Sequence, residues 1–425
     1  MSTRPNVPAA SQGPSYLMPF IIVTALFGIF GFLTSLNNQL VGKLKETFHL
    51  GSGQAALATT AWFLAYLIFS VPSAKLIEKF GYKKTMVISL FIMVLGALAF
   101  IPAANSVSFP LTLAASFLLA VGVCALQTSA NPYAAILGPE SSAALRVNLA
   151  QAVNAAASAL APLIAATYIL SSAAASSSPS DQAHMLIVPY IAIAASLLVL
   201  GFIVMGLHLP TVNLTRDFRP SDMNAVGRSI WSYKHTVLGM VGIFFYVGVE
   251  IALASFGVQF ATEQHVSGIT LFGHALSAVQ VAGSMVTVYY LLIMLGRFAG
   301  SALMTKFKPA NLLLILGVFG VLLMVAGMLT SGTTAVACLV LCGLANSIMY
   351  PTIFALGIAE LGPLTSKGSG VITIGNFGGA VIPPLFGLLI DKMGIQHAFV
   401  LPIVCYLFIT YYGFSGYKTS SSEQA

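Results

Sequence analysis

The sequence predicts an all-α membrane protein of twelve transmembrane helices, arranged as two pseudo-symmetric six-helix halves. Three observations carry that expectation: a composition that no soluble surface accommodates, a ladder of apolar runs each long enough to cross a bilayer, and a motif that recurs at corresponding places in the two halves. Of 425 residues, 58% are hydrophobic and only 7% are charged, with a mean hydropathy of +0.93. A soluble domain carries roughly 25% charged residues. So few charges cannot make a wettable surface for a chain of this length.

A spanning helix needs about 20 apolar residues. Such runs lie at 18–37, 55–77, 84–104, 109–137, 149–171, 187–208, 236–260, 280–304, 311–330, 333–358, 368–390 and 396–415. The Ser/Pro/Ala-rich residues 1–16 read as a short disordered tail, and 17–208 as the first half. The longest polar joint, 209–235, holds Arg216, Asp217, Arg219, Asp222 and Arg228 and leads into the second half at 236–416. Residues 417–425 form a second short tail. The first apolar run is too long for a signal-peptide core, and no small-residue cleavage site follows it.

The net charge of +7 is explained by position, with no need of nucleic acid as a partner. With both termini on one side of the bilayer, fifteen of the eighteen Lys and Arg fall on that side, and only Lys43, Lys45 and Lys392 oppose them. The positive-inside rule then places both termini in the cytoplasm, with the bilayer of the cell (inner) membrane around the chain. Cys124, Cys338, Cys342 and Cys405 all lie in apolar runs. Cys338 and Cys342 share a helix face but have no His or acid beside them, so they read as small buried hydrophobes. No disulfide framework, metal or cofactor is expected, and no Ser-His-Asp constellation suggests an enzyme.

Internal similarity supports the division into halves. In the fourth run stands Gln127-Thr-Ser-Ala-Asn-Pro132-Tyr-Ala-Ala-Ile-Leu-Gly138, and in the tenth Asn346-Ser-Ile-Met-Tyr-Pro351-Thr-Ile-Phe-Ala-Leu-Gly357. An amide, a proline five residues on, and Leu-Gly at the same distance beyond recur in both. After the second and eighth runs, Leu76-Ile-Glu-Lys79-Phe80 answers Leu303-Met-Thr-Lys306-Phe307. Two coincidences at corresponding segments argue for a duplicated six-helix unit, with a substrate site near the midplane between the halves.

The polar residues inside these runs define the candidate site. Glu250 is the one carboxylate deep in an apolar run. A charge in hydrocarbon costs a few kcal/mol or more, so it persists where it faces a cavity, a partner or a transported species. Low-dielectric surroundings favour the neutral form of a carboxyl, which makes proton exchange by Glu250 feasible near physiological pH. Amides accompany it: Asn37 and Asn38 in the first run, Gln127 and Asn131 in the fourth, Gln151 and Asn154 in the fifth, Asn346 in the tenth and Asn376 in the eleventh. Gln127 with Asn131, and Gln151 with Asn154, each share a helix face. Single amides of this kind often just hold helices together, at about 1 kcal/mol each. Two same-face pairs on adjacent helices favour a polar cavity suited to a ring of hydroxyls, with Tyr133, Tyr246 and Tyr350 as candidate rims. Pro132 and Pro351 free backbone carbonyls that can line such a cavity.

At these residues the chain resembles a known family. Gly31-Phe-Leu-Thr-Ser-Leu-Asn37-Asn38, Asn131-Pro-Tyr-Ala-Ala-Ile-Leu-Gly-Pro-Glu-Ser-Ser142, Tyr246-Val-Gly-Val-Glu250 and Gly394-Ile-Gln-His-Ala-Phe-Val-Leu-Pro402 are similar to the fucose and glucose/galactose permeases, a sugar:proton symporter branch of the major facilitator superfamily. The loop from Ala74 to Lys84 resembles that superfamily's gate signature, with Ala74 in place of a glycine and Glu78 in place of an aspartate. The resemblance implies a secondary transporter that imports a monosaccharide, such as glucose, galactose, fucose or N-acetylglucosamine, by alternating access, as a monomer. It implies substrate contacts at Asn38, Gln127, Asn131, Gln151, Asn154, Glu250, Asn346 and Asn376, and gating at Glu78, Lys79, Gly81, Lys83 and Arg297. Two departures bear on coupling. Where the fucose permeases carry proton-coupling acids, this chain has Asn38 and Gln127, neither of which titrates. Glu250 is then the candidate coupling group, for a proton first and for sodium as the alternative. A sugar uniporter, an exporter of another small solute and a transporter-derived sensor are the competing classes.

Overall fold

The computed structural model describes residues 16–47, 52–168, 187–207, 209, 229–264, 270–271, 274–275 and 278–419. The expected first tail (Tyr16 apart), linker residues 210–228 and the last six residues lie outside them. Twelve helical segments are described. They are α1 (Leu17–Thr47), α2 (52–80) and α3 (82–105), α4 (Phe109–Ile136), α5 (Ala143–Tyr168) and α6 (Ile187–Gly206). The second set comprises α7 (Lys234–Glu263), α8 (Ala278–Leu303), α9 (Pro309–Leu329), α10 (Gly332–Gly357), α11 (Gly362–Met393) and α12 (Ile395–Gly416). The expected runs thus reappear in order. Among the described residues, nine stretches are long and apolar enough by themselves to cross a membrane, one of them spanning both α2 and α3.

Gly81 separates α2 from α3. Its φ of 79° and ψ of 168° belong to a region that only glycine enters without strain, so the turn inside the expected gate sequence requires this residue. The α7–α8 connection contains a small antiparallel pairing of Thr270–Leu271 with His274–Ala275.

Helix pairing bears out the duplication. In the first half α1 packs on α5, α2 and α3 on α4, and α3 on α6; in the second, α7 packs on α11, α8 and α9 on α10, and α9 on α12. The second set is the first shifted by six helices. Glycines permit the closest approaches: Gly96 faces the Leu119 backbone and Gly122 faces Met93 in the first half, while Gly343 faces the Tyr289 carbonyl and Gly320 the Tyr406 ring in the second. Small residues of this kind let backbones meet where there is no hydrophobic force between helices in lipid. The outer faces are apolar and exposed, as at Val188 (71%) and Leu329 (79%), which is where lipid tails belong. Polar side chains are directed inward, among them Asn131, Asn148, Gln151, Arg297, Asn346 and Asn376.

Twelve successive segments put the start of α1 and the end of α12 at the same end of the bundle, called here the terminal end. The halves meet through two equivalent seams, α2 against α11 and α5 against α8. Helix α7 is locked to α11 by glycine: a Cβ on Gly378 would stand 1.9 Å from the Phe244 carbonyl oxygen and one on Gly375 2.3 Å from that of Met240. Gly378→Val must therefore separate α7 from α11, at a cost of about 1–3 kcal/mol or more for overpacking. A thermal-unfolding scan in detergent is expected to show a clearly lowered midpoint for Gly378→Val and a wild-type midpoint for Gly206→Ala, whose added Cβ meets nothing within 4 Å.

Candidate functional site

The two repeated prolines explain how the site is anchored. A proline cannot donate to the carbonyl four residues earlier, so Pro132 frees the carbonyl of Thr128 in α4, and Pro351 frees that of Ser347 in α10. Both carbonyls find side-chain donors. Ser369 Oγ of α11 donates to the Thr128 oxygen at 2.6 Å, across the halves. Arg297 Nε of α8 donates to the Ser347 oxygen at 3.0 Å. At Pro351 the helix also breaks, with Gly332–Asn346 and Met349–Gly357 joined through Ser347 and Ile348. In α4 the helix runs on through Pro132 to Ile136.

Arg297 reaches further. Its Nη1 donates to the Gln151 carbonyl at 3.0 Å, which ties α8 to α5 of the other half. Asn148 strengthens the same seam, donating Nδ2 to the Arg297 carbonyl and to Ser301 Oγ, each at 2.8 Å. Close contact is possible because Gly296 lies against Ser347, and Gly300 against Ile348 and Asn148. Arg297 is among the expected gating residues, and in the structure its guanidinium bridges the halves.

A chain of polar groups continues from there through the middle of the bundle. Gln151 Nε2 donates to Asn131 Oδ1 at 3.1 Å. Tyr350 lies beside Asn131 and accepts a long 3.5 Å hydrogen bond from Asn376. Its ring is 6.1 Å from that of Tyr246. Tyr246 in turn interacts with Glu250 and Arg297, and Arg297 is the charge acting on Glu250. Glu250 also acts electrostatically on Tyr289 and Tyr290 of α8. Residues from α4, α5, α7, α8, α10 and α11 therefore converge at the junction of the halves.

Gln127 Oε1 and Asn131 Nδ2 are buried without a hydrogen-bond partner, and the Tyr246 hydroxyl lies near Glu250 and Arg297 but closes no hydrogen bond with either. Leaving such an atom unpaired costs about 1–3 kcal/mol. Together they present one donor, one acceptor and one hydroxyl able to do either, the complement of a small polyhydroxylated solute.

Other expected site residues act as braces. Asn154 donates Nδ2 to the Phe27 carbonyl at 2.9 Å, and Gly31 makes room for it, since a Cβ there would lie 2.6 Å from Nδ2. Asn346 is held on both sides, donating to the Tyr289 hydroxyl at 2.6 Å and accepting from that of Tyr406 at 2.8 Å, so it joins α8, α10 and α12 from behind the cluster. Tyr133 packs on Tyr82, with ring centroids 5.7 Å apart, and so belongs to the core of the first half. Asn38 lies outside the described side chains. Tyr289 and Tyr290 were not legible as site residues, because two tyrosines in an apolar run carry no more signal than packing residues do.

At the terminal end, further contacts close the halves together. Glu78 pairs with Lys367 at 3.5 Å, Glu140 accepts the Glu360 backbone N–H at 3.2 Å, and Gly370 lies against Ala74 and the Ser70 carbonyl. Lys79 sits 5.2 Å over the Phe80 ring. Lys83 donates to the Met205 carbonyl at 2.8 Å, capping the end of α6.

A bundle of two equivalent halves with a polar cluster across their junction defines a membrane transporter, and comparison with known proteins agrees. Residues 20–383 match the Major Facilitator Superfamily. The chain is 37% identical over 409 residues, 96% of each chain, to a glucose/galactose transporter of Brucella abortus. It is 31% identical over 417 residues to the L-fucose-proton symporter of Escherichia coli, covering 94% of this chain and 93% of that one. A crystal structure of the E. coli fucose:proton symporter superposes with a TM-score of 0.83 at 29% identity, covering 95% of this chain and all of the other. One described as outward in conformation gives 0.82. The chain belongs to the Major Facilitator Superfamily, and is an integral membrane transporter rather than an enzyme.

The Ser369–Thr128 bond gives a direct test of the proline argument. Ser369→Ala leaves a buried carbonyl unpaired across the halves, at about 1–3 kcal/mol, whereas Ser369→Thr keeps the donor. Hydrogen exchange of the wild type and both variants is expected to show faster exchange of residues 365–374 in Ser369→Ala alone.

Proposed function

We propose that this protein imports a monosaccharide by alternating access, driven by the proton gradient, with the sugar held between the halves by Gln127, Asn131, Gln151, Asn376 and Glu250. The observation that carries this reading is the set of buried, unpartnered polar atoms on Gln127, Asn131 and Tyr246 where the halves meet. A sugar's hydroxyls would satisfy them all, and a site built to do so rejects solutes that cannot. Names carried by relatives, glucose/galactose transporter and L-fucose-proton symporter, support a hexose or 6-deoxyhexose as the solute, with N-acetylglucosamine as the alternative. Tyr350 and Tyr246 supply ring faces for its C–H surface. Asn154 and Asn346 position the helices that carry the ligands.

Proton coupling falls to Glu250. The positions of Asn38 and Gln127 hold no titratable group, and Glu250 is the carboxylate placed among the site residues. A proton is favoured over sodium because a carboxyl holds a proton by itself, whereas sodium needs a shell of several oxygen ligands. With the termini in the cytoplasm of a cell with a single or inner membrane, the terminal-end contacts form the inner gate. Glu78, Lys79, Gly81, Lys83 and Arg297 are its residues, and the structure's closed terminal end corresponds to a carrier ready to receive sugar from outside.

Uptake of labelled glucose, galactose and fucose into proteoliposomes with an imposed proton gradient tests this. The expected result is gradient-driven accumulation of at least one sugar, lost when the gradient is collapsed, and reduced to downhill flux by Glu250→Gln. Gln151→Ala is expected to weaken sugar binding about tenfold or more, since one lost hydrogen bond in a buried site is worth roughly 1.4 kcal/mol. Accumulation driven by sodium, or mere equilibration by the wild type, would refute proton symport.

A further inference from the structure

The guanidinium of Arg297 has more than one set of neighbours. Two carbonyls hold it: Ser347 of its own half, at 3.0 Å, and Gln151 of the other half, also at 3.0 Å. One anion acts on it from the interior, Glu250, with which it makes no closed ion pair among the described residues. The Gln151 carbonyl is roughly two helical turns from the start of α5, and so lies in the part of the seam that must part when the terminal end opens. The Ser347 carbonyl stays, because Pro351 freed it within the same half.

We propose that Arg297 is the positioning residue that ties the proton on Glu250 to the arrangement of the halves: with the terminal end closed it is held by the Gln151 carbonyl, and with that end open it turns to the Glu250 carboxylate. This deepens the reading of Glu250 as the coupling group and rests on it. In the closed arrangement the carbonyls occupy the guanidinium, and Glu250 takes up a proton from the side opposite the termini. Opening removes the Gln151 acceptor and leaves a buried guanidinium short of one partner. Such a group is strongly destabilising until an anion replaces the lost partner. Glu250 then gives its proton to water on the terminal side, and its carboxylate pairs with Arg297. Resetting requires Glu250 to be protonated again before Arg297 returns to Gln151. A proton and the conformational change thereby become linked through differential interaction with the two states, as coupling demands.

The groups around Glu250 leave this role to Arg297. Tyr246 comes from its own helix and Tyr289 and Tyr290 from α8. Tyr350 of α10 interacts with Arg297 in turn. None of these tyrosines carries a positive charge that could stabilise the ionised acid. Asn148, on the same α5 and nearer its start, donates to the Arg297 carbonyl, so this bond is released together with the Arg297–Gln151 bond when the terminal end opens.

The test compares two transport modes in proteoliposomes holding the full-length wild type, Arg297→Gln, Arg297→Lys, Glu250→Gln or the double Glu250→Gln/Arg297→Gln variant. Labelled D-glucose, D-galactose and L-fucose are supplied in parallel. Proton-driven accumulation needs the proton to be released, whereas sugar exchange at equal concentration across the membrane does not. Arg297→Gln is expected to lose accumulation and keep exchange, Arg297→Lys to recover part of the accumulation, and the double variant to be no worse than Glu250→Gln. Wild-type accumulation by Arg297→Gln, with Glu250→Gln uncoupled, would overturn the role of Arg297 and leave the coupling role of Glu250 standing. Parallel loss of exchange and accumulation in both Arg297 variants would reduce Arg297 to a structural brace and overturn the proposal. Unchanged accumulation in Glu250→Gln would remove the coupling reading, and this proposal with it.

Discussion

A buried guanidinium must be bonded on every side it can reach, and in this protein that demand falls where the two halves meet. Arg297 satisfies it with one carbonyl from α10 and one from α5, so a single side chain depends on both halves at once. The surrounding structure serves this arrangement. Gly296 and Gly300 bring α8 close enough to α10 for the first bond, and Asn148 fixes the α8 backbone from the opposite half. Pro351 supplies an acceptor that an ordinary helix would have used internally. A transporter must have two states of similar free energy, and a bond that exists in only one of them is the kind of element that separates those states.

The duplicated prolines have related uses on the two sides of the junction. Pro132 offers the Thr128 carbonyl to Ser369 of the opposite half, and Pro351 offers the Ser347 carbonyl to Arg297 of its own half. The first is a latch between halves, while the second anchors a charged residue that itself reaches across. Duplication thus supplied two equivalent openings in the backbone, and divergence filled them differently. In the same way the α2–α11 seam closes on Glu78 and Lys367, whereas the α5–α8 seam closes on Asn148, Arg297 and Ser301.

The membrane class, the twelve runs and the two halves were legible in the sequence because each rests on a long-range pattern: apolar length, charge placement and a repeated motif. Glu250 was legible because a lone acid in hydrocarbon has few structural explanations. The two same-face amide pairs are expected to line a polar cavity, and in the structure one member of each, Gln151 and Asn131, bond to one another. What could not be read was which amides are occupied. Asn346 and Asn376 look alike in sequence, yet Asn346 is held between Tyr289 and Tyr406, whereas Asn376 donates to the Thr373 carbonyl of its own helix at 2.9 Å and only at 3.5 Å to Tyr350. The difference depends on tyrosines two helices away, and a single sequence carries no signal for that. The partners of Arg297 were illegible for a related reason, since they are backbone carbonyls, which have no residue identity.

The central claim is that a sugar bound between the halves and a proton on Glu250 depend on one another. Calorimetric titration of the purified protein with sugar, repeated in buffers of different ionisation enthalpy, counts the protons taken up or released on binding. Around the pH at which Glu250 titrates, the account predicts a non-zero proton count for the wild type and none for Glu250→Gln. Sugar binding by the wild type with no linked proton at any pH would contradict it.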